Sequence, residues 1–118
     1  MRRMIALALI VLTPSPILAQ PGPDPAKIYA ENCARCHQLS GKGLEGAYPG
    51  LAGDRITTGP APAAIRLVLD GKGEMPAFRN RLSDAEMAAA LSYARTSWGN
   101  MAGAVTGQEV TKAKAAAK

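Results

Sequence analysis

The chain has 118 residues, a formal net charge of +5, 19% charged residues and two cysteines. This is enough for one small domain, and the mild, scattered charge lacks the basic stripe with interleaved aromatics that nucleic-acid binding needs. With one Trp, one Phe and three Tyr, the chain is poor in bulky core formers and would gain from a large apolar body at its centre.

Arg2 and Arg3 precede an apolar run from Met4 to Leu12 and the segment "ILAQ". A basic head, about nine apolar residues and a closing small residue have the form of a secretory signal peptide. The run is shorter than the roughly 20 residues a membrane span requires. Cleavage is expected after Ala19, so residues 1–19 are read as signal peptide. The mature chain then has a net charge of +3 and no transmembrane span, and its expected location is the periplasm.

Residues 20–24, "QPGPD", read as a leader. Asp24 followed by Pro25 is a helix start, an N-cap acceptor before proline at the first helical position. The helix is predicted from Pro25 into Cys36, with Ile28, Tyr29, Asn32 and Cys33 at related spacings. Residues 38–60 hold six Gly and two Pro and predict a long loop, a length usually reserved for function. Residues 61–70 form a second helical pattern, stopped by Gly71 and Gly73, and Pro76 argues against its continuation.

Ser83 and Glu86 have capping-box spacing and open a third helix. Its apolar members Met87, Leu91, Ala94 and Trp98 recur at helical spacing, with Gly99 as the stop. No strand-like alternation occurs. The expected fold class is therefore all-α, three main helices with long loops, in a domain spanning 25–99. Thr106 and Glu109 repeat the capping-box spacing, but a helix over 107–117 is marginal alone. Residues 100–118 are expected to be a partly ordered tail.

Both cysteines and the only histidine lie in "NCARCHQLSGKG", residues 32–43. Three chemistries use such a cluster. A redox dithiol normally sits in a strand–helix context, and the strands are missing. Structural zinc takes four ligands, and two Cys and one His would need a carboxylate to complete the set. The spacing C-x-x-C-H is the attachment signature of c-type haem: Cys33 and Cys36 each form a thioether, and His37 lies under the iron. With no second histidine, any sixth ligand must be another residue type.

"CARCH" (33–37), "YPGLAG" (48–53) and "GEMPAF" (73–78) together resemble the class I monohaem bacterial cytochromes c over residues 25–98. The resemblance implies the small cytochrome c fold around one covalent haem c. It implies that the Pro49 carbonyl accepts a hydrogen bond from the His37 ring, that Leu51 packs on the porphyrin face, and that the 73–78 loop carries an axial methionine. Of Met75, Met87 and Met101, Met75 fits that role, flanked by Gly73 and Pro76. Met87 lies inside the third helix as core, and Met101 in a Gly/Ala segment without support.

With both axial positions filled, the resemblance implies a single-electron carrier rather than an enzyme, its partners a dehydrogenase, a terminal oxidase or both. The segments "YPGLAG" and "MPAFRNRLSDAEMAAALSYARTSWGN" also resemble cytochrome subunits of exported alcohol, aldehyde and sugar-acid dehydrogenases. A dedicated electron-accepting subunit of such a complex is thus a second reading. A third, a peroxidase-type haem enzyme, needs an open sixth position and a further catalytic side chain; the chain has no second His for it. Lys42, Lys72, Arg79 and Arg81 flank the segments expected near the haem edge, where they would attract acidic partners.

Overall fold

In the computed structural model, residues 9–18 and 21–116 are described; the expected cleavage point after Ala19 lies outside them. Among the described residues there are five helices: α1 (Pro25–Asn32), α2 (Ala34–His37), α3 (Ala61–Asp70), α4 (Asp84–Thr96) and α5 (Gly107–Ala116). None is long and apolar enough to cross a membrane. Residues 9–18 have no regular secondary structure, and Leu9, Ile10, Val11, Leu12, Ile17 and Leu18 are exposed.

Asp24 caps α1 by accepting from the Ala26 and Lys27 amides, with Pro25 behind it. The helix does not run through to Cys36 as expected. Cys33 leaves helical geometry (φ −121°, ψ −36°) while its amide still bonds the Tyr29 carbonyl, and a second short helix carries the chain to His37. Ser83 and Glu86 form the full reciprocal capping box on α4. That helix ends at Thr96 with Ser97 as its C-cap, so Trp98 and Gly99 lie beyond it. Trp98 instead adopts a left-handed φ of 53°.

The core sits where α3, α4 and α5 meet. Ala64, Ile65 and Leu69 of α3 pack with Met87, Ala88 and Leu91 of α4, Phe78 from the intervening loop, and Val105 and Val110. Val110 is fully buried. The segment after Gly99, expected as a partly ordered tail, therefore supplies core side chains. Thr106 and Glu109 form a reciprocal cap on α5, and packing on α4 supplies what the isolated helix lacks. On the other side of α4, α1 crosses it with the Tyr29 and Tyr93 ring centroids 5.0 Å apart.

Arg95 follows Leu91 by four residues and so falls on the buried face of α4, where it is 4% exposed. Among the described residues no carboxylate forms an ion pair with it. Its guanidinium donates to the carbonyls of Thr57 (2.9 Å), Gly59 (2.8 Å), Ala102 (2.8 Å) and Gly103 (3.0 Å). One side chain thus joins the long loop and the post-helical segment to α4. Arg95→Lys keeps the charge but not the planar fork that reaches four acceptors. It should cost about 1.5–3 kcal/mol, the scale of hydrogen bonds to a charged group, measured by chemical denaturation.

Thr111 and Lys114 of α5 donate to the Asp84 carboxylate at the start of α4 (2.6 and 2.9 Å). These bonds, Thr111 first, hold its pKa below the ordinary 3.8. A carboxylate with a depressed folded pKa stabilises above its unfolded value and stops doing so as the pH falls through the folded one. The stability gap between wild type and Asp84→Asn should therefore persist from neutral pH down to 3.8 and close only below it. Melting curves across that range check it.

Candidate functional site

The break at Cys33 brings both thiols and the imidazole into little more than one turn. The Cys36 and His37 amides both donate to the Cys33 carbonyl (3.2 and 2.9 Å). Cys33 and Cys36 are half-buried free thiols, and His37 is buried. Burial, with the nearby Cys36 second, pushes the Cys33 thiol up to about 11. It is protonated at neutral pH, whereas a redox dithiol works through a low-pKa thiolate. Among the described residues no three His, Cys, Asp or Glu side chains gather to hold a metal ion. The carboxylate that a zinc site would need is thus missing, and haem attachment is the chemistry that fits.

The ring of His37 is fixed by one bond: Nδ1 lies 2.8 Å from the Pro49 carbonyl oxygen. A carbonyl only accepts, so Nδ1 carries the proton and Nε2 keeps its lone pair for a metal. The loop geometry around this bond depends on Gly43, which has a φ of 64°. A Cβ there would overlap the backbone of Tyr48 and Pro49. Its amide donates to the His37 carbonyl (2.9 Å), and Leu44 pairs with Tyr48 in a small bridge that presents Pro49.

A cleft of about 560 Å³ opens beside this segment, lined by Glu31, Asn32, Arg35, Cys36, Tyr48, Pro76, Phe78 and Arg81. One wall belongs to the cysteine–histidine segment and the other to residues 76–81. Met75 lies next to that second wall. It closes a tight turn with Lys72, their amides and carbonyls paired at 3.0 and 3.1 Å, and it packs half-buried against the core. Phe78 and Arg79 bond back to Val68 and Leu69 of α3 (2.9 and 3.3 Å), which anchors the segment. Thioether-forming thiols, an imidazole with a free lone pair and a cleft of ligand size with aromatic walls together suit a haem.

Of the residues singled out from sequence, Cys33, Cys36 and His37 sit together, Pro49 joins His37, and Leu51 is tied to the same loop, its amide donating to Gly41 (2.6 Å). Met87 is core at 1% exposure, and Met101 is 95% exposed on the surface. Tyr48 and Phe78 as cleft walls, and Arg95 and Asn100 as buried anchors, were not singled out. Arg95 had a signal, a charge interrupting the apolar stripe of α4 four residues after Leu91. Asn100 had none, because the loop residues it binds, Leu51 and Gly53, are about fifty residues away in sequence.

Residues 20–93 match the family model described as cytochrome c oxidase, cbb3-type, subunit III. The chain is 38% identical over 93 residues to cytochrome c-552 of Thermus thermophilus, covering 65% of this chain and 70% of that one. It is 34% identical over 100 residues to the cytochrome c subunit of a quinone alcohol dehydrogenase from Gluconobacter oxydans. That match takes in 74% of this chain but spans only 21% of the subunit's length. Cytochrome c6 from the diatom Phaeodactylum tricornutum has a similar structure, with a TM-score of 0.53 and 32% identity, over 63% of this chain and 90% of that one. The helices, the cleft and these relatives agree: the chain belongs to the cytochrome c family, a class I monohaem member with the signature for one covalent haem c at Cys33, Cys36 and His37.

Proposed function

We propose that this chain is an exported single-electron carrier whose haem iron is held between His37 and Met75, and that it transforms no substrate of its own. When bound, the haem would supply a one-electron couple, and ligation by His37 together with a neutral thioether would raise its potential. The observation that carries the reading is the His37–Pro49 bond, which fixes the ring and leaves Nε2 as the ligand atom. The Lys72–Met75 turn, held from behind by α3, is suited to present a thioether from the opposite wall. Cys33 and Cys36 attach the group, Leu51 covers it on the histidine side, and Phe78 and Tyr48 help exclude water. The basic head and the apolar run from Met4 to Leu12 support a cleaved signal peptide and a periplasmic location.

A second reading has a specific observation behind it. The match to the alcohol dehydrogenase subunit covers most of this chain, which favours a dedicated electron acceptor docked on a dehydrogenase. Stable co-purification with a large dehydrogenase polypeptide separates that from a free shuttle. Lys42, Lys72 and Arg81 are exposed and available to acidic partners, while Arg79 is paired with Asp70 at 2.8 Å.

Leu39, Leu44 and Ile56 are 67%, 54% and 44% exposed in the polypeptide alone, so the protein core by itself is small. Burying about 400 Å² of apolar haem surface at ~25 cal/mol per Å² is worth on the order of 10 kcal/mol. Typical domain stability is roughly 5–15 kcal/mol. The haem-free Cys33→Ala, Cys36→Ala double variant should therefore lack a cooperative thermal transition by circular dichroism; a sharp melt would contradict this.

The ligand assignment is tested by two methionines. The intact protein should be low-spin in both oxidation states, show the weak near-infrared sulfur-to-iron band when ferric, and bind carbon monoxide poorly. Met75→Ala should abolish the band, lower the potential and admit exogenous ligands. Met87→Ala should keep the band and lose roughly 2–5 kcal/mol of stability, as an emptied core position does. The reverse pattern would overturn the assignment, and a wild type that readily binds carbon monoxide would favour a haem enzyme.

A further inference from the structure

Two non-glycine residues among the described ones have left-handed backbone, Gln38 at φ 66° and Trp98 at φ 53°. For a bulky residue such as tryptophan this is a strained conformation that the surroundings must enforce. The two are linked through Tyr29 and Leu39. Tyr29 donates to the Gln38 carbonyl (2.7 Å), Trp98 Nε1 donates to the next carbonyl, Leu39 (2.9 Å), and the Tyr29 and Trp98 ring centroids are 5.2 Å apart. Gly41 lies under the indole, where a Cβ would overlap the ring. The chain leaving His37 is therefore gripped by the turn that follows α4.

Two residues later the same turn grips the other partner's loop. Asn100 is buried; its Nδ2 donates to Leu51 (3.0 Å) and to Ala94 of α4 (2.8 Å), and its Oδ1 accepts from the Gly53 amide (2.8 Å). Every polar atom of the amide is used. The two gripped loops are themselves joined, because the Leu51 and Ala52 amides both donate to Gly41 (2.6 and 3.1 Å). His37 stands just before one grip and Pro49 just before the other.

We propose that Trp98 and Asn100 are positioning residues for His37: the turn after α4 clasps the two loops whose separation sets the His37–Pro49 hydrogen bond. The inference rests on the reading of His37 as iron ligand, since that is what gives the bond a consequence for the metal. It explains why a tryptophan is held at positive φ, since that backbone turn lets residues 98 and 100 reach loops 59 and 49 residues away in sequence.

The test uses the haem-loaded protein and the ring Nδ1–H of His37, followed by NMR for chemical shift and hydrogen exchange, with the reduction potential measured alongside. Trp98→Phe keeps the ring and removes the donor; Asn100→Ala removes the amide. Val110→Ala serves as control, because it loosens the α5 side of the core and touches neither loop. Each clasp variant should shift the resonance and speed its exchange about tenfold or more, the effect of losing one buried hydrogen bond on local opening. The potential should move with it, while Val110→Ala leaves the Nδ1–H resonance and its exchange unchanged. Clasp variants indistinguishable from wild type, or a control that behaves as they do, would overturn the clasp alone. A wild type without histidine-ligated low-spin haem would overturn the ligand reading, and this inference with it.

Discussion

A single 2.8 Å hydrogen bond, from the His37 ring to the Pro49 carbonyl, organises the site. Because the acceptor is a backbone oxygen it cannot reverse its role, so the tautomer of the histidine is decided by geometry. The bond demands that two loops meet at one spacing. Gly43 permits the approach by leaving no Cβ between them, and the Leu44–Tyr48 bridge turns the chain so that the Pro49 oxygen points inward. The long loop from 38 to 60 is therefore shaped throughout by what it must deliver at residue 49.

Such a loop has little apolar burial of its own and would be mobile if left to itself. It is held by polar side chains from α4 and the turn beyond. Arg95 donates to the carbonyls of Thr57 and Gly59, and Asn100 donates to the Leu51 carbonyl and accepts from the Gly53 amide. Burying a cation without a carboxylate partner is costly unless its donors are matched, and here four carbonyl dipoles match them. The polar network does for the loop what α5, through Val105 and Val110, does for the hydrophobic side.

Signals in the sequence are legible where their physics is local. Asp24 with Pro25 and Ser83 with Glu86 involve partners within three residues, and each forms the cap its spacing implies. The C-x-x-C-H cluster is likewise contained in five residues. What was not legible depends on distant partners. Helical periodicity placed Trp98 on α4, but the chain leaves the helix at Ser97 so that the indole can reach Leu39. Propensity alone made 107–116 marginal, yet burial of Val110 makes it a core helix. The kink at Cys33 was hidden too, since nothing in "NCARC" distinguishes a continuous helix from two short ones.

The two proposed ligands are supported by different parts of the scaffold. His37 is held through loops fastened to the end of α4, whereas the Met75 turn is fastened to α3 by the Phe78 and Arg79 amides and leans on the core. Both supports converge on α4, which packs with α1 on one side and with α3 and α5 on the other. Were the iron held by these two residues, a scaffold that resists displacement from both sides would keep rearrangement on electron transfer small. Under the proposed ligation, that stiffness is what suits the domain to pass electrons. Under the same proposal, anchoring of the Met75 turn also opposes opening of a ligand site, so the proposed carrier role rests on the same contacts.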